Sequence, residues 1–130
     1  MKFTNVRNAS FAFCLLSYCG LASAFAQDAM LEKGKLIYNG TGACFSCHGP
    51  AGLGDGAAAA ALNPKPRSFA EGHYNFDTDG DGKTGTEADL FNVVSNGAQK
   101  YGGSMMMVPR PDIPEADRKA LVKYVLSLKK

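Results

Sequence analysis

The sequence predicts an all-α fold of three to five short helices, wrapped around a group that the chain does not itself supply. Three observations predict it. Apolar residues recur at helical spacing in separate stretches, and no stretch alternates as a half-buried strand would. Long segments rich in glycine and proline (15 Gly and 6 Pro) separate those stretches. The 130-residue chain contains no tryptophan, and a small, loop-rich domain of this kind usually needs a staple or a cofactor to complete its core.

The first 26 residues read as a secretory leader. Lys2 and Arg7 open it, an apolar run from about Phe11 to Leu21 follows, and Ala24-Phe25-Ala26 gives the small-x-small exit, so cleavage is expected at Ala26/Gln27. A membrane anchor is the weaker reading, because the run falls short of the roughly 20 apolar residues a span needs. Cys19 lacks the small preceding residue that a lipoprotein anchor would want, since Tyr18 is bulky. Cleavage would leave residues 27–130 as one domain. Losing Lys2 and Arg7 brings the 14 basic residues to 12, matching the 12 acidic ones, so the exported chain is neutral. With no basic run it has no electrostatic footprint for nucleic acid. Cys44 and Cys47 become its only thiols, too close together to staple a fold as a disulfide.

The elements follow in order. Residues 29–39 place Met30, Leu31, Ile37 and Tyr38 on the apolar side of a short amphipathic helix. Gly34 in its middle costs about 1 kcal/mol relative to alanine, which points to another backbone crossing close by. Residues 57–62 can make a turn or two of helix before Pro64 and Pro66 stop it. Residues 70–85 are a polar Gly/Asp-rich loop. A helix of about ten residues follows, with Thr86 as N-cap, Asp89 three positions on and Asn96-Gly97 as the exit. Leu90, Phe91, Val93 and Val94 give it a buried face. An irregular segment, 98–112, carries Met105, Met106 and Met107. The last helix has Pro114 and Glu115 in its first turn, Lys129 and Lys130 in its last, and a stripe of Leu121, Tyr124, Val125 and Leu128.

The chemistry concentrates in Cys44-Phe45-Ser46-Cys47-His48, the C-x-x-C-H pattern of c-type haem attachment. Two thiols three positions apart on one helical turn can add to the two vinyl groups of a porphyrin. The following imidazole then points back at the iron as proximal ligand. Structural zinc needs four ligands, and beyond His48 the exported chain offers only His73, in a polar loop. A thioredoxin-like dithiol needs a βαβ context that is not visible. The pattern together with a secretion leader therefore favours one covalent haem c.

From residue 30 to 128 the chain resembles the bacterial class I monohaem cytochromes c. The likeness rests on GKLIYNGTGACFSCHGPAGLGDG, LNPKPRSF, FDTDGDGKTGTEADLFNVVSNG and DRKALVKYVLSL. It implies the class I cytochrome c fold, in which first and last helices cross, with Gly34 packed near Leu121 and Tyr124. It also implies a methionine from the loop before the last helix as second axial ligand. Counting back from Tyr124 as relatives do reaches the Met105–Met107 run, with Met107 nearest and Met106 the second choice. Met107-Val108-Pro109 gives a Met-x-Pro order in place of the commoner Met-Pro. In the family a proline carbonyl holds the other nitrogen of the proximal histidine, and Pro66 or Pro64 is the candidate here. Arg67 can pair with a haem propionate or stay solvated.

Asp77, Asp79, Asp81 and Gly82 stand in the register of a calcium-binding EF-hand loop, but position twelve is Ala88 where a bidentate glutamate belongs. Such Asp/Gly-rich turns are common without an ion. No triad, carboxylate pair or phosphate loop argues for catalysis. A His/Met-ligated haem closes its iron to substrates, so the expected function is a periplasmic carrier of single electrons between redox proteins, monomeric or weakly dimeric. Two alternatives stand: the electron-accepting cytochrome subunit of a dehydrogenase complex, or a ligand-binding or peroxidase-type haem protein if no methionine coordinates.

Overall fold

The computed structural model describes residues 18–130. Most of the expected leader, residues 1–17, lies outside them. The described residues form four α-helices and no strand: α1 (Tyr18–Asn39), α2 (Phe45–His48), α3 (Glu87–Asn96) and α4 (Glu115–Ser127). Short 3₁₀ turns at Ala59–Ala61 and Ala98–Tyr101 interrupt the loops. The first of these is all that forms of the turn or two of helix expected over residues 57–62.

Helix α1 starts well before residue 29, and the expected cleavage point falls inside it. The alanine-rich stretch ahead of Met30 holds no proline, so nothing local breaks the helix there. Its C-terminal half crosses α4. Ile37 and Tyr38 from α1 join Leu90, Ile113, Leu121, Val122 and Val125 in the core. At the crossing a Cβ on Gly34 would collide with the Ala120 carbonyl and sit 2.7 Å from the Tyr124 Cβ. The glycine is there because two backbones meet. Ala120 and Tyr124 flank it, rather than the expected Leu121 and Tyr124. Lys33 reaches Asp117 (2.5 Å) across the crossing, and Lys123 reaches Glu87 (2.9 Å) between α4 and α3. Both pairs are partly exposed and each adds under about 1 kcal/mol.

Helix α4 ends at Ser127, so Lys129 and Lys130 lie past it instead of in its last turn. The Lys130 amide donates to the Ala70 carbonyl (3.1 Å), which draws the chain end onto the 70–72 turn.

Helix α3 begins with a capping box. The Asp89 amide donates to the Thr86 hydroxyl oxygen (3.1 Å), and the Thr86 amide donates back to the Asp89 carboxylate (2.9 Å). The buried Asp89 also accepts the Thr86 hydroxyl (2.7 Å) and, on its other oxygen, the amide (2.6 Å) and hydroxyl (2.9 Å) of Thr78. One carboxylate therefore clips the 77–85 loop to the start of α3. Burial by itself would raise the Asp89 carboxyl, but the hydrogen bonds from Thr78 and Thr86 outweigh it and hold it at about 2. The folded value lies below the ordinary 3.8, so this stabilisation is complete above about pH 4 and is lost as pH falls towards 2. Allowing for screening by the thin loop, it contributes about 1–2 kcal/mol at neutral pH. Asp89→Asn should lower the free energy of unfolding in urea at pH 7 by that amount and flatten its fall between pH 4 and 2. An unchanged acid profile in the variant would count against the clip.

Candidate functional site

Cys44 ends the turn that links α1 to α2, and Cys47 lies within α2 itself. Gly42 and Cys44 donate their amides to the carbonyls of Ile37 (2.8 Å) and Tyr38 (3.0 Å), closing the end of α1. Ala43 then takes a left-handed φ of 50°, which aims the next residues into α2. The glycine-rich stretch beyond folds back over the motif: the Gly54 amide donates to the His48 carbonyl (2.8 Å) and the Gly56 amide to the Cys47 carbonyl (3.1 Å). The buried Tyr38 hydroxyl donates to the Gly49 carbonyl (2.7 Å), tying the turn to the core.

Both thiols are free and face a cavity of about 830 Å³ together with His48. Burial, offset in part by Arg110, pushes the Cys44 thiol up to about 11. A redox-active dithiol depends on the opposite shift. The His48 imidazole stacks on Phe69, with ring centroids 4.3 Å apart and planes 20° from parallel. Its Nδ1 lies 3.0 Å from the Arg67 carbonyl. A carbonyl can only accept, so Nδ1 carries the proton and Nε2 keeps a free lone pair. Burial lowers the His48 pKa, which favours the neutral imidazole that a metal requires.

The carbonyl that orients His48 belongs to Arg67, not to Pro66 or Pro64. The Pro66 carbonyl is turned onto Gly54, a left-handed residue (φ 77°) whose missing side chain leaves room for it. The Arg67 guanidinium donates to the His73 carbonyl. Arg67, Pro64 and Pro66 all line the cavity, whereas the exposed His73 does not.

The methionines divide. Met107 is half-buried and lines the cavity, as does the more exposed Met106 (57%); Met105 (65% exposed) does not. The Met107 amide donates to the Ser104 carbonyl (3.2 Å), and its own carbonyl accepts from Ala98 (3.0 Å). Leu90, Val93 and Val94 of α3 form an apolar wall of the same cavity. The face of α3 expected to be buried meets the core through Leu90, with Phe91 and Val94 packed against it, and also looks into this space through Leu90, Val93 and Val94. Phe91 turns away beneath the Arg118 guanidinium (5.3 Å).

These residues fit a haem. The cavity lies within the roughly 300–1,000 Å³ range of cofactor sites and is walled mainly by apolar groups. Two neighbouring thiols and a neutral imidazole meet on it, and sulfur reaches it from a distant segment. Tyr74 lines it too, and its buried hydroxyl has no hydrogen-bond partner among the described residues. A carboxylate of the cofactor would satisfy that donor.

The acidic loop closes mostly on itself. Asp77 accepts the amides of Gly80 (2.7 Å) and Gly82 (3.0 Å), and Asp81 accepts that of Lys83 (2.8 Å). The carboxylates that gather are Asp77, Asp79 and Asp89; Asp81 stands apart from them.

Sequence reasoning missed three contributors: the Arg67 carbonyl, the Phe69 ring against His48, and Arg110, which also lines the cavity. An arginine two residues past Val108 and beside a proline was the one visible signal among them.

The sequence matches the cytochrome c family over residues 31–129. No curated protein matches the chain. It is similar to a solved chain of the reducing HAO-like protein complex of Kuenenia stuttgartiensis, with 33% identity, 75% of this chain covered and a TM-score of 0.62. This chain spans 42% of the length of that one.

Proposed function

The chain belongs to the cytochrome c family, and from that premise we propose that it is an exported monohaem protein that passes single electrons between redox partners in the periplasm. Haem bound here would supply a one-electron iron couple. Cys44 and Cys47 would hold it through thioether bonds, and His48 Nε2 would face its iron. Met107 is the proposed second ligand, with Met106 behind it, because Met107 is the more enclosed of the two that reach the cavity. Sulfur there leaves no open position for a substrate, which makes the chain a carrier rather than a catalyst.

The observation that carries this reading is the convergence on one cavity of Cys44, Cys47, His48 and Met107 from segments about sixty residues apart. Among the described residues no helix is long and apolar enough to cross a membrane. A second reading, favoured by the likeness to a chain of an HAO-like complex, makes the same site the cytochrome subunit of a larger redox enzyme. Copurification from the native host separates the two.

Single alanine variants at the three methionines test the ligand. Met107→Ala should abolish the weak long-wavelength sulfur-to-iron band of the ferric protein and let the ferrous protein bind carbon monoxide. Met105→Ala should change neither, and Met106→Ala should do little to either. A wild-type protein that binds carbon monoxide rapidly at neutral pH would point instead to a ligand-binding or peroxidase-type haem protein.

A further inference from the structure

Arg110 joins the two segments that the proposed iron ligands come from. It stands three residues after Met107, and its amide donates to the Val94 carbonyl of α3 (2.9 Å). Its side chain runs the other way, to the turn just before Cys44. There Nη2 donates to the Thr41 carbonyl (2.8 Å) and Nη1 to the Gly42 carbonyl (2.5 Å). Among the described residues no other hydrogen bond links the 98–112 segment to residues 40–56. The Gly42 carbonyl is also the oxygen that the Cys44 thiol approaches, at 3.6 Å.

The guanidinium is itself fixed. Asp112 accepts from Nε (2.9 Å) and Nη2 (2.8 Å) in a two-pronged pair, and the Arg110 carbonyl accepts from Arg118 (3.3 Å). A planar fork held this way reaches two carbonyls at once, which a lysine ammonium on a flexible stem does less well. The side chain is only 22% exposed. Its partners are backbone carbonyls, so its hold does not depend on which side chains stand at residues 41 and 42.

We propose that Arg110 is a positioning residue for the Met107 sulfur. By clamping the methionine loop to the turn before Cys44 it would hold the Met107 segment at a fixed separation from the segment that carries His48. This rests on the reading of Met107 as ligand. A thioether is a weak, neutral donor on a long, flexible side chain. Whether it stays on the metal depends on how firmly its loop is held. Without the clamp, Met107 would still be anchored through Ala98 and Ser104 on its own side of the cavity, but nothing polar would hold that side against residues 41–48.

The test uses the holoprotein purified with its haem attached, as wild type, Arg110→Gln, Arg110→Lys and Met107→Ala. Two readouts follow the sulfur: the pH at which the ferric long-wavelength band disappears, and carbon monoxide binding by the ferrous form. Losing two charge-assisted hydrogen bonds should favour the sulfur-off form about tenfold or more. Arg110→Gln should therefore lose its band about one pH unit or more below wild type and bind carbon monoxide at least about tenfold more readily. Arg110→Lys, keeping the charge and one donor direction, should recover part of both shifts. Asp112→Asn, which frees the fork without removing it, should shift both in the same direction by less, and it serves if Arg110→Gln does not accumulate. A band and carbon monoxide response unchanged in Arg110→Gln, in a protein whose band is lost in Met107→Ala, overturns the clamp alone. A band that survives Met107→Ala overturns the ligand reading and the clamp with it.

Discussion

Gly34→Ala is expected to destabilise the protein by about 3 kcal/mol, the upper range for forcing atoms into a packed interior. The sign makes the test sharp. In an ordinary helix the same change stabilises by about 1 kcal/mol, because alanine is the better helix former. Here the added methyl would meet the Ala120 carbonyl, and the Tyr124 Cβ lies 2.7 Å away on its other side. Neither atom is the loose end of a side chain, so relief requires α1 and α4 to separate. That separation would thin the contact between Ile37 and Tyr38 on one helix and Leu121 and Val125 on the other. Urea unfolding of the holoprotein, followed by circular dichroism, gives the answer. A variant as stable as wild type, or more so, would mean that the helices do not cross this closely.

Cys44→Ser combined with Cys47→Ser is expected to yield a colourless chain that is largely unfolded. The two thiols are those of the C-x-x-C-H stretch, and both face the cavity. Without them no covalent bond would hold the haem. The consequence for the fold follows from size. Without the haem, Leu90, Val93 and Val94 would line a water-filled cleft instead of packing on a cofactor. A domain this small and loop-rich has little other core to offset that loss. Mass spectrometry of the denatured chain reads the covalent link, and far-ultraviolet circular dichroism reads the helices. A double variant that kept full helicity and a haem surviving denaturation would refute the attachment. Each single variant should keep one thioether, and so its colour.

What was legible in the sequence was mostly local or covalent in origin. The C-x-x-C-H stretch stands out because the proposed bonding of two thiols to one ring would fix their spacing. The start of α3 is readable because a capping box needs only Thr86 and Asp89, three positions apart. Gly34 could be read as a crossing because it breaks a local rule in the middle of a helix, and only tertiary contact rewards that. The all-α class and the cytochrome c family both followed from such features.

What the sequence hid was set by distance along the chain or by the backbone. Any residue can present a carbonyl, so nothing marked Arg67 over Pro66 as the partner of His48. Arg110 finds its carbonyls 68 and 69 positions away, beyond the reach of any pattern. The apolar face of α3 was rightly read as buried, but periodicity does not tell that it serves both the core and the cavity. Asp89 was read as a helix cap, and its second hold, on Thr78, depends on where the 77–85 loop returns.

That return has a consequence for how the chain can vary. Asp89 anchors the loop at its base, while at its tip Gly80 and Gly82 have open space on every side where a side chain would begin. The turn is therefore closed from behind, and a side chain at Gly80 or Gly82 would meet no neighbour within 4 Å. Extra residues grafted between Asp79 and Lys83, a peptide epitope for instance, would extend into solvent without reaching either wall of the cavity.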